Sequence, residues 1–198
     1  MRVIKRGAVI DYLTIRTDGT GRHYLGLPSS QLMGTGWNWP AAAWSPDGSR
    51  VAFTQVIAGG DRAGGPFRTH LVNADGTANV ELPSSAGASV SENWPVFSPD
   101  GRWILINRWT WGDPDAGKPQ RTWLALAPAD GSAPARDIGP VFTGDKELQL
   151  AKAWSPDGTR ILVFQAEDGG ALSIDPATGK VERLAWSTDL PDVQRIVR

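Results

Sequence analysis

The chain has 198 residues, enough for one domain or a short array of repeats, and it is 40% hydrophobic and 21% charged, as folded soluble proteins are. Lys+Arg 20 against Asp+Glu 21 gives a formal net charge of -1, which removes the global electrostatic case for nucleic acid or an anionic membrane as the main partner. Without cysteine, disulfides and thiolate metal sites are excluded, and no window approaches the apolar run of about 20 residues that a membrane span requires.

The N-terminus carries Arg2, Lys5 and Arg6, but its apolar stretch Ala8-Val9-Ile10 ends at Asp11, too short for an export signal in this chain. Gly 23, Pro 15 and Trp 10 indicate many turns with large side chains filling the space between sheets, an all-β composition. "RVIK" (2–5) and "DYLTIRTDGTGRHYLGLP" (11–28), with a turn at Asp18-Gly19, read as the second, third and fourth strands of a unit that lacks its first.

From residue 39 the chain repeats. A short first strand enters "WSPDG" (44–48), a second leaves as "RVAFTQV" (50–56), a third is "THLVNA" (69–74), and a fourth, "NVELP" (79–83), follows the turn Asp75-Gly76. The next copy runs through "FSPDG" (97–101), "RWILINRW" (102–109), "TWLALA" (122–127), Asp130-Gly131 and "ARDIG" (135–139). The last runs through "WSPDG" (154–158), "RILVFQA" (160–166), "ALSID" (171–175), "DPATGK" (175–180) and "VERLA" (181–185). Apolar residues alternate in these runs, as in half-buried strands. Four antiparallel strands repeated at about 50 residues make one propeller blade, whereas helical repeats would not be broken by Gly or Pro so often.

Three "(W/F)SPDG" turns, each followed by a strand and a second Gly-containing turn, resemble the TolB-like β-propeller family over roughly residues 9 to 198. The resemblance implies an all-β propeller of four-stranded antiparallel blades, commonly six or more in the family, of which this chain would be a C-terminal or compact version. The repeat itself places complete blades at 39–84, 94–139 and 150–186 of a single domain over 1–198. A further blade would be split between 2–28 and "PDVQRIVR" (191–198), giving a four-bladed or partial ring. It also implies a bacterial, periplasmic or extracellular setting. Related blades occur in prolyl oligopeptidase-type peptidases, so fold alone leaves function open.

The turn residues themselves, Ser45-Pro46-Asp47-Gly48, Ser98-Pro99-Asp100-Gly101 and Ser155-Pro156-Asp157-Gly158, are expected to be scaffold. Pro presets φ for a type I turn, Asp accepts local backbone N–H groups, and Gly supplies the positive φ that lets the next strand leave. A metal or anion site built from the three aspartates is the weaker reading, because successive copies lie on different blades.

Both kinds of tight turn fall on one face of a meander, which moves the irregular loops to the other. Those loops are "GTGWNWP" (34–40), "AGGDRAGGPFR" (58–68), "SENWP" (91–95), "TWGDPDAGKPQR" (110–121) and "GDKELQ" (144–149). Binding residues concentrate on loops held by a rigid scaffold, and Trp and Arg are common at energetic hot spots. The candidates are Trp37, Asn38, Trp39, Arg62, Arg68, Asn93, Trp94, Trp109, Trp111, Asp113, Arg121 and Glu147. The repeated "NWP" at Trp39 and Trp94 also suits packing at a blade edge.

No catalytic constellation is legible. His23 and His70 sit in strand-like runs, and there is no Gly-x-Ser-x-Gly elbow, His-Glu-x-x-His pair, phosphate loop or dinucleotide fingerprint. "DPDAG" (113–117) lacks the further oxygen ligands of a calcium loop. The expectation is a non-catalytic module without metal or cofactor that recognises a protein or peptide, with carbohydrate binding or an accessory role in a peptidase system as alternatives. Open blade edges also offer a route to homo-oligomers.

Overall fold

A computed structural model describes residues 2–6, 9–15, 17–24, 42–61, 65–110, 120–144, 151–164 and 170–184. In chain order the strands are β1 (Arg2–Arg6), β2 (Val9–Thr14), β3 (His23–Tyr24), β4 (Ala42–Trp44), β5 (Arg50–Asp61), β6 (Gly65–Asn73), β7 (Val80–Glu81) and β8 (Ser91–Phe97). They continue as β9 (Trp103–Thr110), β10 (Gln120–Pro128), β11 (Arg136–Gly144), β12 (Ala151–Trp154), β13 (Ile161–Phe164), β14 (Ala171–Ile174) and β15 (Val181–Leu184). The described residues contain no helix, and hence none long and apolar enough to cross a membrane.

The strands form three four-stranded antiparallel meanders, β4-β5-β6-β7, β8-β9-β10-β11 and β12-β13-β14-β15, and a three-stranded sheet, β1-β2-β3. The first three are the expected complete blades. The three-stranded sheet falls where the second to fourth strands of a split blade are expected, with "RVIK" paired with β2 from Arg2↔Leu13 to Lys5↔Ile10. Its expected first strand, 191–198, falls outside the described residues.

Each SPDG turn is closed by the same bonds. In the first, Gly48 N–H donates to Ser45 O (2.9 Å), Ser45 N–H to Arg50 O (2.9 Å), and Arg50 N–H to Ser45 Oγ (2.9 Å). Gly48, Gly101 and Gly158 have φ of 71°, 72° and 73°, which only glycine adopts without strain. The turns also pack on one another. A Cβ at Gly101 would lie 3.5 Å from Pro46 Cδ, and one at Gly158 would lie 3.6 Å from Pro99 Cδ. The motif thus joins consecutive blades as well as consecutive strands.

Two apolar seams hold the three blades together. Ala52, Leu71 and Leu82 of the first blade meet Phe97, Ile104, Ile106, Ala125 and Ala127 of the second. Leu105, Leu124, Leu126, Ile138 and Phe142 of the second meet Trp154, Ile161, Val163 and Ile174 of the third. Even-numbered residues of β9 face one neighbour and Leu105 faces the other, as a strand buried on both sides requires. Full burial of each Leu or Ile contributes about 1.5–3 kcal/mol, so the seams dominate cohesion between blades.

The fourth strand of the second blade differs from expectation. β11 continues past Gly139 to Gly144, with a register irregularity opposite Thr122/Leu124. Gly139, at φ 74°, absorbs the bend.

Candidate functional site

The turn end of the blades is chemically saturated. Asp47 accepts from Ser45 Oγ (2.6 Å) and Ser49 N–H (3.0 Å); Asp100 accepts from Ser98 Oγ (2.6 Å) and Arg102 N–H (3.0 Å); Asp157 accepts from Ser155 Oγ (2.6 Å) and Thr159 N–H (3.0 Å). Donation by the serine hydroxyl, then by the backbone N–H, pulls all three carboxyl pKa values down to about 2. Asp18, Asp75, Asp130 and Asp175 are lowered by similar bonds within their own turns. Each carboxylate serves its own turn, and no His, Asp or Glu cluster able to hold a metal exists among the described residues.

The opposite end is built differently. There, both seams pass from apolar to polar. Glu92 and Arg108 face each other across β8 and β9, side chains 1% and 2% exposed, with Arg108 Nε donating to Glu92 Oε1 at 2.9 Å and Nη2 at 2.7 Å. Arg108 also donates to Asp137 (2.5 Å), whose Oδ1 accepts Trp123 Nε1–H at 2.8 Å, while Glu92 accepts from Ser84 Oγ at 2.7 Å. This charged network closes the seam between the first and second blades.

The seam between the second and third blades is closed by an amine. β8 is the edge strand of its sheet, so Pro95, which lacks an N–H, is tolerated there. The register slips between Asn93 and Val96, and Trp94 takes φ 50°, a left-handed conformation rare for a bulky residue. Its carbonyl accepts a 2.8 Å bond from Lys152 Nζ, from β12 of the next blade. Lys152 shares a face with Trp154, two residues on, and also donates to Asn107 Oδ1. Asn107 is fully buried and pairs in register with Asn93, itself 5% exposed, whose Oδ1 has no hydrogen-bond partner. Burial lowers the Lys152 pKa to about 7. No ion pair joins Lys152 to a carboxylate among the described residues.

The candidates read from the sequence distribute unevenly over this end. Asn93 and Trp94 belong to the amine cluster. Arg121 is exposed, with its guanidinium 5.9 Å from the Trp123 ring centroid. Trp109 lies within β9 rather than in a loop, 5% exposed, packed on Phe67 at a centroid distance of 6.3 Å. Arg68 lies within β6, 6% exposed, and donates to the carbonyls of Phe67, Val90 and Gly87, tying the segment before β8 to the first blade. Trp37, Asn38, Trp39, Arg62, Trp111, Asp113 and Glu147 lie outside the described residues. Of the two histidines, His70 is depressed by burial, with Nδ1 3.2 Å from Asn79 Oδ1, and sits in the outer half of the first blade.

Asn107, Arg108 and Lys152 escape a search confined to loops. Their signal is a polar residue in a strand position where the pattern calls for an apolar one, as in "ILINRW" and "AKAW".

No family profile matches the sequence, and no curated protein matches it significantly. Solved structures do. A TolB from Acinetobacter baumannii superposes with a TM-score of 0.60 at 16% identity, covering 93% of this chain and 40% of that one. An oligogalacturonate lyase in complex with manganese gives 0.60 at 15% identity, covering 94% of this chain and 46% of that one. A prolyl endopeptidase gives 0.56 at 15% identity, covering 92% of this chain and 29% of that one. The chain therefore spans less than half the length of these structures, and at such identities the likeness is one of fold.

Proposed function

We propose that this chain, whose fold is that of the TolB-like β-propellers, is a non-catalytic binding module that engages a protein or peptide through the blade end opposite its SPDG turns. The contrast between the two ends carries the reading. At the turn end every turn carboxylate is committed to its own backbone. At the other end, charged and amide side chains from different blades converge at the blade junctions, and Arg121 lies against Trp123. A rigid framework with variable loops at one end is a common arrangement for recognition.

The test compares the two ends directly. Capture of peptides from a random-sequence array is measured for the wild-type chain, for Trp37→Ala/Trp111→Ala, for Arg121→Ala, and for Asp130→Asn at the turn end. Substitutions at the loop end should weaken capture roughly fivefold or more, the scale of an interface hot spot, and Asp130→Asn should leave it unchanged. Equal effects from both ends would remove the assignment of the face. Turnover of a peptide or ester substrate by the purified chain would overturn the non-catalytic reading.

A further inference from the structure

We infer that Lys152, with Asn93, Asn107 and the bulged Trp94 carbonyl, forms a carboxylate-accepting subsite between the second and third blades, taking an acidic side chain or C-terminal carboxylate of a bound peptide. The inference rests on the peptide-binding reading above and assigns one contact within it.

Three observations lead to it. The first is an unmatched donor. An ammonium has three N–H donors, and among the described residues Lys152 has two acceptors, Trp94 O and Asn107 Oδ1, neither of them charged. The contrast with Arg108 is instructive, because that buried cation has both Glu92 and Asp137 as counter-ions. A cation withdrawn from water without an anion is costly, and a carboxylate arriving from outside recovers that cost.

The second is an unmatched polar atom beside it. Asn93 is directly opposite Asn107 in register, so the two amides share a face, and Asn93 Oδ1 is buried with no partner. An Asn amide can present either its oxygen or its NH2 in that place, and the NH2 would donate to the second oxygen of a carboxylate held by Lys152. Two donors from two blades match the two oxygens of one carboxylate.

The third is backbone strain with a local purpose. Trp94 is held at φ 50°, and what that conformation accomplishes is to aim its carbonyl at Lys152 Nζ. The bulge fixes the amine at the blade junction rather than leaving it to swing into solvent. Lys152 as a residue keeps intermediate exposure while its amine is withdrawn from water, and the low pKa fits an amine still waiting for its counter-charge.

The experiment uses the full chain and two peptide series from a random-sequence array. One series carries Asp or Glu with an amidated C-terminus, against Asn or Gln counterparts. The other has neutral side chains, with a free or amidated C-terminus. Carboxylate-bearing members of one series should bind better than their amide partners, and Lys152→Met should erase about tenfold of that preference, as truncation of one member of a partly buried charge pair does. The responding series identifies the source of the carboxylate. Unchanged preference in Lys152→Met overturns the subsite while peptide binding stands; failure of the wild type to capture any peptide overturns both. Should Lys152→Met not fold, the Lys152 Cε resonance of the wild type decides. It should shift saturably with acetate and not with acetamide, and an equal or absent response to both rules the subsite out.

Discussion

Gly139 in the last strand of the second blade lies so close to Ile174 in the third that a Cβ built on it would stand 2.6 Å from Ile174 Cδ1. The glycine is required twice, once by its φ of 74° and once by this contact. Gly48, at φ 71° with no atom within 4 Å of its would-be Cβ, isolates the first requirement. Gly48→Ala should therefore cost about 1–2 kcal/mol from left-handed backbone alone, and Gly139→Ala about 3 kcal/mol or more. Ile174→Val removes the clashing Cδ1 at a cost of about 1 kcal/mol. Denaturant unfolding of the double variant should show a cost below the sum of the singles by about 1 kcal/mol; strict additivity would mean the contact is not felt.

The SPDG turns predict a response to acid. Ser98 is 1% exposed and bonds both Asp100 and the Trp103 N–H, so Ser98→Ala should cost about 1–3 kcal/mol through the unsatisfied backbone donor. Asp47, Asp100 and Asp157 have folded pKa values lowered from 3.8 to about 2. A depressed carboxyl contributes stability that is present above the unfolded value and lost as pH falls through the folded one. Melting temperature should therefore drop steeply between about pH 4 and pH 2, and the drop should be shallower in Ser98→Ala, where the leading cause of the Asp100 shift is gone. Parallel curves for the two proteins would show that the serine does not hold that carboxyl.

Much of the fold could be read from the sequence because the turns that set it are local. Pro fixes φ, Asp caps, and Gly turns the chain, all within five residues, so three four-stranded blades and a three-stranded sheet follow from short-range chemistry. The polar closures of the seams are different. Lys152 reaches Trp94 and Asn107 across a blade boundary, and no local rule says that a lysine in "AKAW" will find a carbonyl 58 positions earlier. Arg68 and Trp109 were legible as residue types suited to binding, but their burial depends on where β6 and β9 end. Those ends are set by pairing with strands of the same blade, which residue type does not reveal.

The buried ion pair gives a prediction of opposite signs. Removing one charge, as in Glu92→Gln, strands Arg108 with only the exposed Asp137 as counter-ion and should cost about 3 kcal/mol. Replacing both, as in Glu92→Met/Arg108→Leu, should cost less than the single change, because a packed apolar pair avoids the desolvation of two ions. Chemical denaturation of the two variants separates these outcomes. If the double replacement is the more damaging, the wider network through Ser84, Ser85 and Asp137 contributes more than the pair itself.

Lys152 gives the last prediction, and its slope has the same sign as that of the turn aspartates, although here it is the charged form that folding penalises. Burial lowers its folded pKa from 10.5 to about 7, so between those values the unfolded chain binds more protons than the folded one. Stability then rises with pH across that window, and the penalty for burying the charged amine is fully present below about pH 7. Lys152→Met removes the titration together with the bonds to Trp94 and Asn107, and losing those bonds shifts stability by an amount that does not depend on pH. The unfolding free energy of wild type minus that of Lys152→Met should therefore increase from pH 7 towards pH 10.5, with other titrations cancelling in the difference. A difference constant over that range would mean that the amine titrates at its ordinary value, and that water or a carboxylate already reaches it between the blades.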